Sequence, residues 1–458
     1  MKVISLFWAK LIPLFMAVIF VLAMAGCSQD RSGGRDITES DRSLFYGETL
    51  TIAVPDDFFM RSSVAQYMRR NPGVTIEIIN FGWDNIDAAR MQLATELMSG
   101  TGPVLIDSIL LDTLDPRLAP FMIDWFPVMA ADPDFNEEDW FTNALHALSV
   151  NGALYEFPIE FTYNFAAINS TVLSLNESFV ERERITISEM IEIHQQLPAA
   201  SSLSIAPNFS AQWLMRYYLH HFFDMETGLV DFDNDWFINF ITFARDMTEP
   251  EHLRGFITTA DFNRRESELA MLYLFDIPHT NWHPFHLADF ASGSIFANPI
   301  PITNEHGELW IGSGESYILN AVNSTPTQQA LAWDFIKFLM EVDESEHSMK
   351  TFNLHPTNRN LLRSAQNQLF PMYVNWLENH SDGWRLAGTN RDALEQNVAR
   401  KTEIGNMPMI RRLRAPDIVI ENIFEILQLF EDGHITAEQT AETLQSRIEL
   451  IMMEIGLR

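Results

Sequence analysis

One cysteine, Cys27, stands in 458 residues. No internal disulfide is then possible, and the fold is held by its apolar cores. Lysine is nearly as scarce: Lys2, Lys10, Lys337, Lys350 and Lys401 are all there is. With 30 basic residues against 62 acidic ones the formal net charge is −32, the wrong sign for a nucleic-acid partner. The sequence has no Gly-x-Ser-x-Gly elbow, no phosphate-cradling glycine-rich loop and no cysteine suited to act as a nucleophile. No tandem repeat of fixed period recurs. Carboxylates are so many that acid pairs around a glycosidic bond can be drawn anywhere, and only geometry makes such a pair evidence of hydrolysis.

What is present is apolar and long. Hydrophobic residues make up 47% and charged ones 20%, enough for buried cores, and the length suggests two or three domains. At the N-terminus, Lys2 and Lys10 flank an apolar run from Leu11 to Ala25. That run has signal-peptide length, short of the roughly 20 residues of a membrane-spanning helix. It ends Leu22-Ala23-Met24-Ala25-Gly26-Cys27, which resembles the lipobox of bacterial lipoproteins, with Met24 where Leu is most usual. The resemblance implies a signal peptide over 1–26 and acylation of Cys27 with palmitate-type chains, a membrane anchor firmer than one acyl chain gives. Removing Lys2 and Lys10, and no acid, takes the charge to about −34. Residues 27–47 are rich in Ser, Gly, Asp and Arg and read as a flexible tether.

The body opens as alternating strands and helices. Leu50–Val54 reads as a strand, stopped by Pro55-Asp56-Asp57. Met60, Val64, Tyr67 and Met68 follow at helical spacing, then Val74–Ile78 as a strand. Ile86, Arg90, Leu93 and Leu97 make a second helix, broken by Gly100-Thr101-Gly102-Pro103, and Val104-Leu105-Ile106 starts a third strand. This order predicts a parallel α/β sheet. Such sheets bind ligands beyond the carboxyl ends of their strands, which directs attention to Asp56 and Asp57, to Trp83 and to Asp107–Asp112. Helices are expected over Ile187–Leu197 with Ser188 as cap, Trp213–Phe223, Trp236–Met247 and Pro326–Met340. The last of these carries a capping box, Thr325 with Gln328, and Thr436 with Gln439 forms another near the C-terminus.

Between these regions runs Asn151 to Asn169, an Asn-Gly turn followed by aromatic and aliphatic residues with single polar ones between. Pro158 prevents one continuous central strand, so the chain is expected to leave one sheet here and enter another. Several blocks together resemble the extracellular solute-binding proteins of family 1, the sugar-binding lipoproteins of ABC importers that include maltose-binding protein. The blocks are Ser99–Pro103, Gly152–Pro158 leading to Ile168-Asn169, Ala270-Met271, Gln329–Leu339 and Ile435–Ala441. The resemblance spans about Thr49 to the C-terminus. It departs from the family pattern at Val104-Leu105, at Ile168 and at Phe275.

The resemblance implies a two-lobed periplasmic-binding-protein-like α/β fold of type II, with lobes joined by crossing hinge segments. The N-terminal lobe would take 48–165 and 315–355, and the C-terminal lobe 166–314 and 356–458. A carbohydrate would be captured between the lobes and delivered to an ABC permease. The protein would be a non-enzymatic monomer without cofactor, lipid-anchored outside the bacterial cell membrane. Alternatives are a surface glycoside hydrolase and a signalling or adhesive lipoprotein on the same fold. Sugars offer apolar C–H faces and dense hydroxyls, so aromatic rings and carboxylates are the expected contacts. By position these are Asp57, Trp83, Asp112, Glu160, Tyr163, Trp213, Trp282, Gly314, Glu315 and Trp384. The plainer roles stay open beside them: a solvated turn for Asp57, a helix cap for Asp112, core for the aromatics. His279, His283 and His286 have helical metal-ligand spacing, but Pro278 and Pro284 break the helix that would align them, and no metal is expected. With few basic residues near the expected cleft, a strongly anionic ligand is disfavoured; Arg411, Arg412 and Arg414 are the residues that would reverse that view.

Overall fold

The computed structural model describes residues 45–168, 183–196, 211–225, 227–247, 272–275, 300–341, 355–379, 399–412 and 415–456. Cys27, Trp282, Trp384, Arg414 and the three histidines at 279, 283 and 286 lie outside them, as do the signal peptide and most of the tether. Among the described residues no helix is long and apolar enough to cross a membrane.

The first half builds as its sequence patterns dictate. Strand β1 (Thr49–Val54) alternates and buries Leu50 and Ile52 completely. Helix α1 (Phe58–Arg70) places Met60, Val64 and Tyr67 on its buried face. Strand β2 (Thr75–Asn80) then pairs parallel with β1. Helix α2 (Ile86–Met98) buries Ala89, Leu93 and Leu97, and β3 (Leu105–Asp107) lies parallel on the other side of β1. Helices α3 (Trp125–Ala130) and α4 (Thr142–Leu148) follow. Asn151 and Gly152, at φ 52° and 80°, form a two-residue turn. Val150 and Ala153 exchange backbone hydrogen bonds across it, of 2.8 and 3.0 Å. Two consecutive positive φ angles are what an Asn-Gly hairpin turn supplies.

Strand β4 (Glu156–Pro158) ends on the proline, and β5 (Glu160–Tyr163) begins in a different sheet. Then come β6 (Phe165–Ile168), β7 (Ile185–Thr186) and α5 (Ile187–Gln196). The cap of α5 is Thr186 rather than Ser188. Thr186 Oγ1 accepts from Glu189 N at 3.1 Å, and Glu189 accepts from Thr186 N at 2.8 Å, a reciprocal box that leaves Ser188 inside the first turn. Helix α6 (Ala211–Tyr218) stops short of the expected Phe223. A 3-10 turn over Leu219–His221 intervenes, and Phe223 is taken by a short hairpin, β8 (Phe223–Asp224) with β9 (Leu229–Val230). Helix α7 (Asp235–Met247) and strands β10 (Leu272–Phe275), β11 (Ile300–Thr303), β12 (Leu309–Ser313) and β13 (Ser316–Leu319) lead to α8 (Pro326–Leu339). Strand β14 (His355–Pro356), α9 (Arg359–Asn379), β15 (Met409–Arg411), α10 (Asp417–Glu431) and α11 (Ala437–Glu454) complete the chain. Both expected capping boxes form, Thr325 with Gln328 on α8 and Thr436 with Gln439 on α11.

One sheet has the order β2-β1-β3-β13-β4, the other β10-β6-β11-β12-β5-β14 with β15 and β7 attached. The first sheet is covered on both faces. On one side Trp125, Trp140 and Phe157 gather around Trp333 of α8, with ring centroids 5.2–6.3 Å apart. On the other, α2 packs against Ala53, Ile106 and Ile318. The second sheet carries its own core, in which Phe222, Phe237 and Trp310 meet Val419, Ile423 and Phe430 of α10 and Leu444 and Ile448 of α11. Two cores joined by strands that change sheet are the two-lobed arrangement.

Candidate functional site

Three strands of the first sheet end at one edge, and beyond each of them one large apolar side chain is exposed. After β1, Asp56 accepts from Phe58 N at 2.9 Å. Asp57 is held by Arg61 one turn on, at 2.6 Å, and Phe58 is 65% exposed. After β2, Gly82 at φ 77° turns the backbone into a 3-10 helix that Trp83 opens, and Trp83 is 56% exposed. After β3, Ile109 is 37% exposed and Asp107 caps the short turn that carries it. An aromatic ring half in water, with no core to fill, is free to meet a ligand face.

The junction of the two sheets is polar and buried. Strands β4–β5 and β12–β13 cross together: Gly314 N donates to Glu160 O, and Ile159 N donates to Glu315 O, each at 2.9 Å. Glu160 is 2% exposed, and Glu315 N donates to its Oε1 at 3.4 Å. A Cβ on Gly314 would lie 2.8 Å from Glu160 Cγ, so only glycine lets the strands approach here. Glu315 in turn accepts from the Tyr317 hydroxyl at 2.7 Å. Glu156 accepts from Ser316 at 2.7 Å and from Thr113 and Arg411 at 3.1 Å each. Burial pushes the Glu156 carboxyl up, but Arg411 and hydroxyls of Ser313, Ser316 and Thr113 outweigh it and hold the group below its usual value. Arg412 donates to Asn164 at 2.6 Å.

The other face of β5 is apolar. Tyr163 is 4% exposed and packs with Phe161 and His355, so its ring presents no surface at the junction. Its phenol is pushed up by burial, with Arg400's charge opposing. His355 stacks on Phe161 at 4.3 Å, and burial holds its imidazole down to about 4. Lys401 is also buried, which lowers its ammonium to about 7 against the pull of Glu160.

Asp112 does cap a helix, but not its own. It belongs to the loop after β3, and its Oδ1 accepts from Leu114 N at 2.9 Å. Its Oδ2 accepts from Asp417 N at 2.6 Å, the first residue of α10, 305 positions away. Burial first, and then Asp417's charge, raise its carboxyl to about 6. Arg90 of α2 bridges the same point, pairing with Asp417 at 3.1 Å and donating to Ile109 O at 2.9 Å.

The structure thus brings Glu160, Gly314 and Glu315 into contact at the junction. Asp57, Trp83 and Asp112 stand along the strand ends of the first sheet, each on a different connection. Trp213 lies within α6. Glu156, Lys401, His355 and the Arg90–Asp417 pair went unpredicted; their only sequence signals were the Arg-rich 411–414 cluster and an arginine on an otherwise apolar helix face. A separate cavity of about 550 Å³ opens beside β7 and α5, lined by Glu183, Arg184, Glu189, Glu192 and Glu305 among others, and none of the expected contacts lines it. Among the described residues no group of three or more metal-ligating side chains occurs.

No family model matches the sequence, and no curated protein matches it. Solved structures do match in fold. A periplasmic oligogalacturonide-binding protein from Yersinia enterocolitica superposes with a TM-score of 0.58 at 12% identity, over 90% of this chain and 100% of that one. The sugar-binding protein MalE from Xanthomonas citri gives 0.58 at 13% identity, over 89% and 98%. A family 1 extracellular solute-binding protein from Alicyclobacillus acidocaldarius gives 0.56 at 13%, over 89% and 99%. At this identity it is the fold that is shared, and the chain has the two-lobed α/β fold of the sugar-binding ABC solute-binding proteins.

Proposed function

We propose that this protein is a lipid-anchored, extracytoplasmic solute-binding subunit that captures a mono- or oligosaccharide between its lobes and delivers it to an ABC permease. The observation that carries this reading is the end-to-end overlap with proteins whose descriptions name sugars: cycloalternan, maltose and oligogalacturonide. In this reading Cys27 carries the anchor and the protein acts as a monomer without catalysis. The lobes are 48–165 with 315–355, and 166–314 with 356–458; the change of sheet at Ile159 and the crossing at Gly314 support hinges near both boundaries. Asp57 and Trp83 face the ligand from the first lobe and Gly314 and Glu315 from the junction, where the buried Glu160 holds Glu315 N and shapes the site. Trp213, Trp282 and Trp384 are proposed contacts from the second. Asp112 and Tyr163 are committed to protein contacts, and their role is to shape the site rather than touch the ligand.

A thermal-shift screen of mono- and oligosaccharides tests it. A sugar present at a hundred times its dissociation constant stabilises by about 2.7 kcal/mol. Trp83→Ala is expected to weaken that binding severalfold while leaving the empty protein's melting temperature nearly unchanged, because the ring is 56% exposed. A screen flat for sugars but positive for peptides or polyamines overturns the ligand class. Turnover of chromogenic glycosides overturns the non-enzymatic reading.

A further inference from the structure

Resting on that two-lobe reading, we propose that Asp112, Arg90 and the first turn of α10 form a latch between the lobes, one that rising pH loosens. Its two halves are rooted in different cores. The Asp112 loop is pinned on the first lobe by Leu110, Leu111 and Leu118. Helix α10 is pinned in the second by Val419, Ile423, Ile426, Leu427 and Phe430. Their direct bonds are the Asp112 Oδ2 contact to Asp417 N at 2.6 Å and the Arg90–Asp417 pair at 3.1 Å. Separating the lobes breaks both. The carboxylate sits where the helix dipole and a backbone N–H favour it, yet it is buried beside the Asp417 carboxylate.

The charged groups facing Asp112 are Asp417 from α10 and, on its own loop, Asp115 and Arg117; Arg90 reaches it from α2 through Asp417. Burial, then Asp417, then Asp115 raise its carboxyl from 3.8 to about 6, against the hydrogen bonds from Asp417 N and Leu114 N. Opening rehydrates the group and returns it to its ordinary value near 4. The closed form therefore holds the extra proton between those two values. Its advantage is full below the lower one and is lost as pH rises through the upper. At one factor of ten per unit the closing equilibrium changes by about tenfold to a hundredfold across the window.

The test measures the distance between spin labels in the full chain without sugar. Cys27→Ser frees the chain of its one cysteine, and Met98→Cys with Met453→Cys place labels on α2 and α11, where both positions are 55% exposed. The short-distance population is expected to dominate at pH 4.5 and to fall at least tenfold relative to the long one at pH 7.5. Asp112→Asn, which has no proton to lose, is expected to give one distribution at both pH values. Arg90→Ala, which removes the ion pair to Asp417 and the hydrogen bond to Ile109 O, is expected to shift the population toward the long distance at both. A wild-type distribution that ignores pH overturns the latch, as does Asp112→Asn following pH like the wild type or Arg90→Ala changing nothing. Because no sugar is present, a failed latch leaves sugar capture standing, and a flat sugar screen leaves this measurement intact.

Discussion

Arg411 is the residue on which the junction's charge balance turns. It donates to Leu148 O at 2.8 Å and pairs with Glu156 at 3.1 Å, the two side chains being 11% and 6% exposed. Removing one member of a buried pair strands the other's charge and costs about 3–5 kcal/mol. Arg411→Ala is expected to lose that much in urea denaturation, with Arg411→Met combined with Glu156→Gln recovering part of it; a loss under about 1 kcal/mol would place the pair effectively in water. The Glu156 contribution has the opposite pH sense from Asp112. Its carboxyl is held low, so its stabilisation is present at neutral pH and is lost as pH falls through the depressed value. Neither behaviour is readable from the residue type, since both groups are acids of the same sheet, Glu156 at the start of β4 and Asp112 in the loop after β3.

At the scale of elements the crossing strands matter most. Strands β12 and β13 are separated by Gly314 and Glu315, and β4 and β5 by Ile159, so each pair changes sheet at the same level. Glu160 fills the space that a side chain at 314 would need. Gly314→Ala puts a Cβ 2.8 Å from Glu160 Cγ and 3.2 Å from its backbone oxygen. Overpacking of this kind costs about 1–3 kcal/mol. The expected outcome is a lowered melting temperature of the empty protein, and restoration by Gly314→Ala combined with Glu160→Gly would identify the clash as the cause. The helices at the two ends of the second half were legible beforehand because their caps are local: Thr325 with Gln328 and Thr436 with Gln439 need only four consecutive residues. Helix α6 ends at Tyr218, short of the expected Phe223, because the hairpin that takes Phe223 pairs it with Val230, a partner that no local pattern announces.

For the whole molecule, stability against pH reports how β14, which pairs with β5, is buried. His355 lies between Phe161 and Phe141, with Lys401 O at 2.8 Å from its Nε2. Burial, and then the charge of Lys401, hold its imidazole down from 6.5 to about 4, against the two carbonyls it bonds. The unfolded chain takes up a proton there first, so this contribution is complete above the higher value and is lost as pH falls toward the lower one. His355→Gln is expected to flatten the fall in urea stability between pH 6.5 and 4.5; an unchanged slope would show that the ring is hydrated. This trend opposes that of Asp112 in the same window. The two are separable because one acts on unfolding and the other on lobe distance.

The sequence by itself determined what depends on neighbours along the chain. These are the parallel β1, β2 and β3 with their helices, the Asn151-Gly152 turn, the proline at the change of sheet and the two capping boxes. Periodicity and caps act over a few residues, so they are written locally. Only the tertiary structure decided what Asp112, Tyr163, Glu156 and Gly314 do, because their partners are Asp417, His355, Arg411 and Glu160, between 154 and 305 positions distant in a chain of 458. Position relative to a strand's carboxyl end pointed to Trp83, which is 56% exposed. It did not tell that Tyr163 packs on His355 and Glu160 against Gly314, three residues apart on opposite faces of one strand, since that choice belongs to whichever sheet and core lie on each side.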